Sequence, residues 1–551
     1  MLRLKFLSAP LKEQMRDQRD LRSVLKQLEQ RGKVYRFKEP INKETELLPV
    51  YRVQQRGLPD SARKVLLFEN VVGAKGKRYE MAVVAGIYGA SEEILALGIG
   101  CEKPTEMLEK WHRGMAHPLP PVLVEDGPVH EEVHTGDEVK SLGLDELPIP
   151  VEEPGFSGML RTGLPMITKD PETQIRNVGT YNGFARARDR MVAAISTTHD
   201  AVFYHWQTAR RRGEGLPVAI VVGCAPEIML VGSADIPYGV DELAVAGGIV
   251  GSPVELVRCK TVPLEVPAHA EAVIEGIISI DTVEPRLPFG EYPGYINVDY
   301  NVRPVMTVTA VTHRRDAMFT PVLVGFPPSD TNAVWGFCQS AMMYEHLRYG
   351  CRFPVDEVYC PQAGGGNNFC ILRLHKGTPE NVWQILQAAA GVHAGGKVFV
   401  AVDSDIDVRD PDLLIWALSF SMRPEEDISI IPGRSGGLDP SAAPTGSGKG
   451  KMESARGRGY SRVLIDATRK WPYPPVALPK KEYMERALAI WGEHSDLPAP
   501  SMQQPWYGYT LGHWDEKLQQ YADLIVQGEY LKVGEEMAKL QEKVREDMMR
   551  R

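Results

Sequence analysis

The chain of 551 residues carries 63 Lys and Arg against 72 Asp and Glu, a formal charge of −9 at neutral pH. That size excludes a small binding module and points to several globular domains with room for an enclosed active site, while a mildly acidic balance with no basic half excludes a surface built to neutralise nucleic-acid phosphates. Seven scattered cysteines without a CxxC pair, an opening stretch interrupted by Lys12, Glu13, Arg16 and Asp17, and no long apolar run predict a reduced, cytoplasmic protein without a secretion signal or membrane span.

From the amino end, Leu21, Val24, Leu25 and Leu28 keep the i, i+3, i+4, i+7 spacing of an amphipathic helix, with Asp20 placed to cap it and Gly32 to stop it. Short apolar runs at 65–68 and 81–84, with a helical stretch over 91–97, predict an α/β module over residues 1–120. The proline-rich stretch 117–155 disfavours regular helix and suits an extended crossing. Between 121 and 330, β-type runs at 218–222, 254–257, 305–311 and 321–324, broken by Gly and Pro, predict a mixed sheet or barrel with few helices. From 331 to 475 the signals alternate: helix over 333–348, strand over 369–374, helix over 379–390, strand over 397–402 and helix over 411–421, a βαβ pattern. Residues 430–460 read as a flexible Gly, Ser and Arg loop, and 476–551 as a helical extension.

Several motif-like stretches fail on chemistry. Asp403-Ser404-Asp405-Ile406-Asp407 lacks the glycine and glutamate of a calcium loop, because Val408 and Leu414 occupy those positions. Gly446-Ser447-Gly448-Lys449-Gly450 meets neither end of a phosphate-loop pattern, and Gly364-Gly365-Gly366 opens no dinucleotide fingerprint. Trp506, Tyr507, Tyr509 and Trp514 read as packing of the tail.

Three stretches combine polar groups with strand or turn context: Arg176-Asn177-Val178-Gly179-Thr180-Tyr181-Asn182, Asp241-Glu242-Leu243-Ala244-Val245-Ala246-Gly247 and Pro288-Phe289-Gly290-Glu291-Tyr292-Pro293-Gly294-Tyr295. Taken alone, Glu242 reads as a helix N-terminal carboxylate, His199 as a core or surface histidine and Glu291 as a turn residue. In this order and at these separations, with Leu264-Glu265-Val266-Pro267-Ala268 and Asp466-Ala467-Thr468-Arg469-Lys470-Trp471-Pro472 in place, the stretches resemble the UbiD family of prenylated-flavin-dependent decarboxylases over roughly residues 120–472.

The resemblance implies an α/β (α+β) protein in which a central split β-barrel flavin-binding domain lies between an N-terminal α/β domain and a C-terminal α/β oligomerisation domain. It implies a divalent cation (Mn²⁺, Fe²⁺ or Mg²⁺) on Asn177, His199 and Glu242, which with K⁺ clamps the phosphate of prenylated FMN. Thr198, Gly232, Ser233 and Ala234 fall where backbone and hydroxyl groups meet the cofactor, and Arg462 where a cation reaches its phosphate. The implied reaction is non-oxidative loss of CO₂ from an aromatic or α,β-unsaturated acid, as in aromatic degradation, with Glu291 returning a proton. It also implies a flavin prenyltransferase as cofactor supplier and a homo-oligomer, dimer or hexamer.

The chain departs from the family pattern at two positions. Asn182 stands where most members have Arg, and Arg286 where they have Glu, so the usual Arg/Glu/Glu network is missing. Arg286 is then placed to meet a second anionic group on the substrate. That swap resembles the aryl-CoA branch of the family, phthaloyl-CoA decarboxylases included. A catalytic subunit of a multi-subunit carboxylase and a non-catalytic flavin-binding protein are the competing readings.

Overall fold

The computed structural model describes residues 19–195, 201–298, 301–375, 381–392, 396–432, 438–441, 461–510 and 512–545. Its first helix, α1 (Leu21–Gln30), forms where the spacing predicts. Leu21, Val24, Leu25 and Leu28 are buried, Asp20 and Ser23 make a capping box, and Gly32 turns the chain at φ +69°. Then follow β1 (Val34–Phe37), α2 (Leu47–Gly57), β2 (Val65–Phe68), β3 (Ala82–Ala85), α3 (Glu92–Gly98) and α4 (Met107–Ala116). The three strands join Met318–Phe319, from far along the chain, in a four-stranded mixed sheet.

The proline-rich stretch is less extended than expected. It contains β4 (Glu132–Thr135) and a short helix, Asp137–Ser141, which begins after Gly136 turns at φ +54° and carries Asp137 and Glu138 at its positive end. The helix fits because the prolines at 128 and 148 stand outside it.

The central sheet uses β4 together with β5 (Leu160–Arg161), β6 (Leu164–Lys169), β7 (Arg176–Tyr181), β8 (Gly183–Ala187) and β9 (Arg190–Ala193). Helix α5 (Ala201–Arg212), strand β10 (Leu216–Val222), helices α6 (Pro226–Val231) and α7 (Glu242–Val250), and the long strands β11 (Ala272–Pro285) and β12 (Val302–His313) complete the module. Among the described residues this sheet has nine strands in the order β7-β6-β10-β11-β12-β9-β8-β5, with β4 also on β12, and its paired strands are antiparallel. It curls into a half-barrel. Register shifts at Glu275/Gly276 and Ile278/Val283 bend β11, and a side chain at Gly276 would stand 2.3 Å from the Thr307 carbonyl oxygen.

Helix α8 (Asp330–Tyr344) leads to β13 (Val355–Tyr359), β14 (Phe369–Leu374), α9 (Val382–Val392), β15 (Val398–Val402), α10 (Pro411–Ser421), β16 (Ile428–Pro432) and β17 (Ser461–Ala467). The sheet order is β13-β14-β15-β17-β16, with β14, β15 and β17 parallel. Alternation along β14 and β15 dictates its two-sided cover. Cys370, Leu372, Phe399 and Ala401 face the main core with α9, while Ile371, Val400 and Val402 pack with α10. That main core is continuous from Leu21 to Leu464, so the four-, nine- and five-stranded sheets share one apolar interior. The tail carries α11 (Lys481–Gly492), α12 (Glu516–Val526) and α13 (Tyr530–Ala538), none with a buried residue. Most of the expected loop at 430–460, including the glycine-lysine stretch 446–450, lies outside the described residues.

Candidate functional site

The site grows from β7, an edge of the half-barrel. On one side Asn177 pairs with Thr168 of β6; on the other, instead of a strand, the Thr180 N–H donates to the Gly232 carbonyl at 2.7 Å, and Thr180 Oγ1 lies 3.1 Å from Ser233 Oγ. The turn 232–234 after α6 therefore seats on β7, closed by the Ile236 N–H donating to the Ala234 carbonyl at 2.9 Å. Helix α7 begins beside the same strand. Asp241 caps it by accepting from the Leu243 N–H at 3.0 Å, and the Glu242 carboxylate accepts from the Val178 N–H.

Arg176 fixes that arrangement, with Nη1 2.8 Å from Asp241 and Nη2 3.0 Å from Glu265. Three separate stretches of the sequence pattern thus meet at one guanidinium. Next to it, Asn177 Nδ2 and Glu242 Oε2 are both buried without a hydrogen-bond partner. A cluster of orphaned buried polar atoms is costly unless something outside the chain satisfies it. Burial also pushes the Glu242 carboxyl up to about 7. An amide, a carboxylate and an adjacent hydroxyl-bearing turn are the donor types of an oxygen-rich cation and phosphate site, and the residues present fit one. His199 and Thr198, expected at this site, lie outside the described residues. A buried imidazole is nevertheless at hand: His205 of α5, fully buried, has Nδ1 2.9 Å from Thr168 Oγ1, the cross-strand partner of Asn177.

At the other end of β7 stands Asn182. Its Oδ1 accepts from Arg161 Nη1 at 2.6 Å, and the same guanidinium is paired with Glu152 at 2.6 Å and donates to the Val322 carbonyl at 2.6 Å. A guanidinium from β5 thus stands beside Asn182. Glu153, the next residue, accepts from the Gly290 N–H at 3.2 Å, and its Oε1 is buried without a partner. Burial, then the neighbouring Glu152 charge, pushes Glu153 up to about 7. A side chain on Gly290 would stand 2.1 Å from Glu153 Oε1, so the Glu153 carboxylate packs directly against the Gly290 backbone.

Glu291 follows Gly290. Its Oε1 accepts from Asn297 Nδ2 at 3.1 Å and lies 3.7 Å from Arg286 Nη1; the Arg286 guanidinium also stacks 4.8 Å over the Phe289 ring. The structure thus brings Glu242 beside Asn177 at the start of β7, seats Gly232 and Ser233 further along the strand at Thr180, and links Asn182, just past its end, through Arg161, Glu152 and Glu153 to Glu291 and Arg286. Arg462 is not brought to either group. It lies on β17 in the C-terminal sheet, where its guanidinium donates to the Ala390 carbonyl at the end of α9. The aspartates of the rejected calcium loop have a structural use: Asp403 and Asp405 grip Arg469, and Asp405 also receives the Tyr509 hydroxyl at 2.7 Å, tying down the tail.

Sequence reasoning missed Arg161, Glu152, Glu153, Arg176's bridging role and His205. Only the pair Glu152-Glu153 beside a proline carried any signal, two adjacent acids in an otherwise apolar strap.

Domain models of the 3-octaprenyl-4-hydroxybenzoate carboxy-lyase (UbiD) family match three successive parts of the chain: the N-terminal domain at residues 25–112, the Rift-related domain at 122–327 and the C-terminal domain at 332–467. A protein of Aquifex aeolicus (strain VF5), described as uncharacterized, is 32% identical over 508 residues, covering 86% of this chain and 98% of that protein. Among solved structures, the UbiD-class enzyme HmfF from Pelotomaculum thermopropionicum in complex with prFMN superposes with a TM-score of 0.72 at 27% identity, covering 85% of this chain and 98% of that one. The apo 3,4-dihydroxybenzoic acid decarboxylase of Enterobacter cloacae gives 0.72 at 26% identity, covering 88% and 98%.

Proposed function

This chain belongs to the UbiD family of carboxy-lyases, and we propose that it is a non-oxidative, prenylated-FMN-dependent decarboxylase of an aromatic or α,β-unsaturated carboxylic acid. The observation that carries the reading is a pair of orphaned buried atoms: Glu242 Oε2 at the start of α7, an oxygen for a cation, and Asn177 Nδ2 on the strand that receives the turn 232–234, a donor for a phosphate oxygen. Asn177, Glu242 and His199 would hold a divalent ion, Mn²⁺, Fe²⁺ or Mg²⁺, and Gly232, Ser233 and Ala234, with Thr198, would meet K⁺ and the cofactor phosphate. When bound, the prenylated flavin supplies the electron sink for the carbanion equivalent left by CO₂.

The chain's own residues do the rest. Glu291, partly buried and held by Asn297, is the acid that returns a proton to the carbon losing CO₂, and Arg286 stands 3.7 Å from its carboxyl oxygen. Arg161 holds Asn182 and Glu152 together, so the segment beyond β7 stays in one geometry. Asn177 and Asn182 stand about 17 Å apart along the strand, with the turn 232–234 seated between them at Thr180.

Within this class, an acid bearing a second anionic group, such as the phthaloyl-CoA thioester, is the narrower assignment. What supports it is that Arg303, partly buried, lies close enough to Arg286 and Glu291 to feel both charges. The free cysteines, and the lack among the described residues of a helix long and apolar enough to cross a membrane, accord with a cytoplasmic homo-oligomer.

The test is expression with a flavin prenyltransferase, mass spectrometry of the released cofactor, and CO₂ release across a panel of free acids and aryl-CoA thioesters. Prenylated FMN with turnover is expected. Unmodified flavin in active protein removes the mechanism, stoichiometric prenylated flavin without CO₂ release across the panel favours the non-catalytic reading, and equal turnover of free acids removes the thioester.

A further inference from the structure

We propose that His134, Glu146 and His313 form a second divalent-metal site, of the zinc type, on the back of the half-barrel. The three come from separate segments: β4, the 3₁₀ turn Gly143–Glu146 that follows it, and the end of β12. Register brings the histidines together. His134 stands opposite Val311 in the antiparallel pairing of β4 with β12, so His313, two residues on, presents its side chain to the same face. Their rings meet edge to face with centroids 5.4 Å apart. The turn is pinned by the Leu144 N–H donating to the Arg188 carbonyl at 2.9 Å, and it delivers Glu146 Oε2 to 2.7 Å from His134 Nδ1. One ligand atom from each residue lies within 4.8 Å of the other two.

A His–Glu ion pair alone explains the 2.7 Å contact and leaves the second histidine without a purpose. The outer contacts of His313 supply one. Its Nδ1–H donates a hydrogen bond to the Arg314 carbonyl at 2.9 Å, which leaves Nε2 with its lone pair free. Backbone carbonyls play this part for metal-bound histidines generally, fixing tautomer and ring direction. The side chains of His134 and Glu146 are 17% and 22% exposed, shielded enough to be ordered yet open enough for an ion to enter.

Two imidazoles and one carboxylate suit Zn²⁺, Co²⁺ or Ni²⁺, and leave a fourth position for water. Ligand atoms around tetrahedral zinc stand about 3.3 Å apart, so the three groups need draw in by roughly 1.5 Å at most. An ion here takes the place of the proton shared by His134 and Glu146 and staples the interdomain strap to the longest strands of the sheet.

The test uses the full chain stripped with a chelator, then titrated with Zn²⁺ by calorimetry and with Co²⁺ by visible absorption. His134→Gln and His313→Gln are each expected to bind one equivalent fewer than the unaltered chain, or to bind it at least about 100-fold more weakly, and to lose the intense absorption of four-coordinate Co²⁺. Glu242→Gln is expected to keep both signals. Unfolding temperature in chelator shows that the variants are folded, and Zn²⁺ is expected to raise it in the unaltered chain by a few degrees and in neither histidine variant. The same stoichiometry and affinity in the unaltered chain and both histidine variants, or no four-coordinate Co²⁺ signal in the unaltered chain, overturns the site.

Discussion

Single side chains in this protein work against their ordinary chemistry, and Asp330 at the start of α8 shows how. It is 1% exposed, receives the Tyr51 hydroxyl at 2.5 Å and the Leu323 N–H at 2.9 Å, and burial pushes its carboxyl up to about 6. The folded state therefore holds a proton that the unfolded chain has released, and its contribution to stability is present below about pH 4 and lost as pH rises through 6. Asp330→Asn fixes the neutral form. Its stability relative to the unaltered chain is expected to improve by about 3 kcal/mol between pH 4 and 7, read from denaturant midpoints; a pH-independent difference refutes the assignment. Arg161 is the opposite case, a charge whose loss strands another. Arg161→Ala leaves Glu152 buried without its ion pair and is expected to cost about 3–5 kcal/mol in chemical denaturation. Asn177, Glu242 and Glu291 are legible in the sequence because each sits in a stretch whose order along the chain carries meaning. Arg161 is not, because what gives it a role is contact with Val322, 161 residues away, and no local pattern encodes that distance.

Secondary structure divides along the same line. Helix α1 and strand β10 were readable because each buries a face or run of one period: four residues at helical spacing in the first, and a nearly continuous apolar run in the second. Helix α7 is apolar on all sides, Leu-Ala-Val-Ala-Gly-Gly-Ile-Val after Glu242, so periodicity does not separate it from a buried strand. The alternation after 331 announced a parallel sheet, whereas the curl of the central sheet depends on bulges that no alternation reveals. Gly276 is where that curl can be tested. With the Thr307 carbonyl 2.3 Å from the place of a β-carbon, Gly276→Val must push β11 off β12, at a cost of about 1–3 kcal/mol in denaturant midpoint. A variant as stable as the unaltered chain would mean that the close approach does not shape the sheet.

At the scale of the molecule, the three sheets and the tail obey different rules. The sheets share one interior, reinforced by Glu271, which is fully buried and takes a bidentate ion pair from Arg22 of α1 at 2.8 Å while accepting from the Met318 N–H at 3.0 Å. The tail helices bury nothing in the single chain, although Ile490, Trp491, Leu518, Ile525, Val526 and Leu531 give them apolar surface. Helices of about ten residues are marginal on their own in water, so these need a partner surface to persist. In the proposed homo-oligomer the apolar residues of the tail would bury against a second copy, while Tyr509 on Asp405 keeps the tail's root on its own C-terminal module. Truncation after residue 475 is then expected to lower the mass of the assembly in light scattering and to leave the unfolding temperature of the remaining chain within a few degrees, because the shared core does not include the removed helices. An unchanged mass would place the subunit contact elsewhere; a collapse of thermal stability would show instead that the tail packs on its own chain.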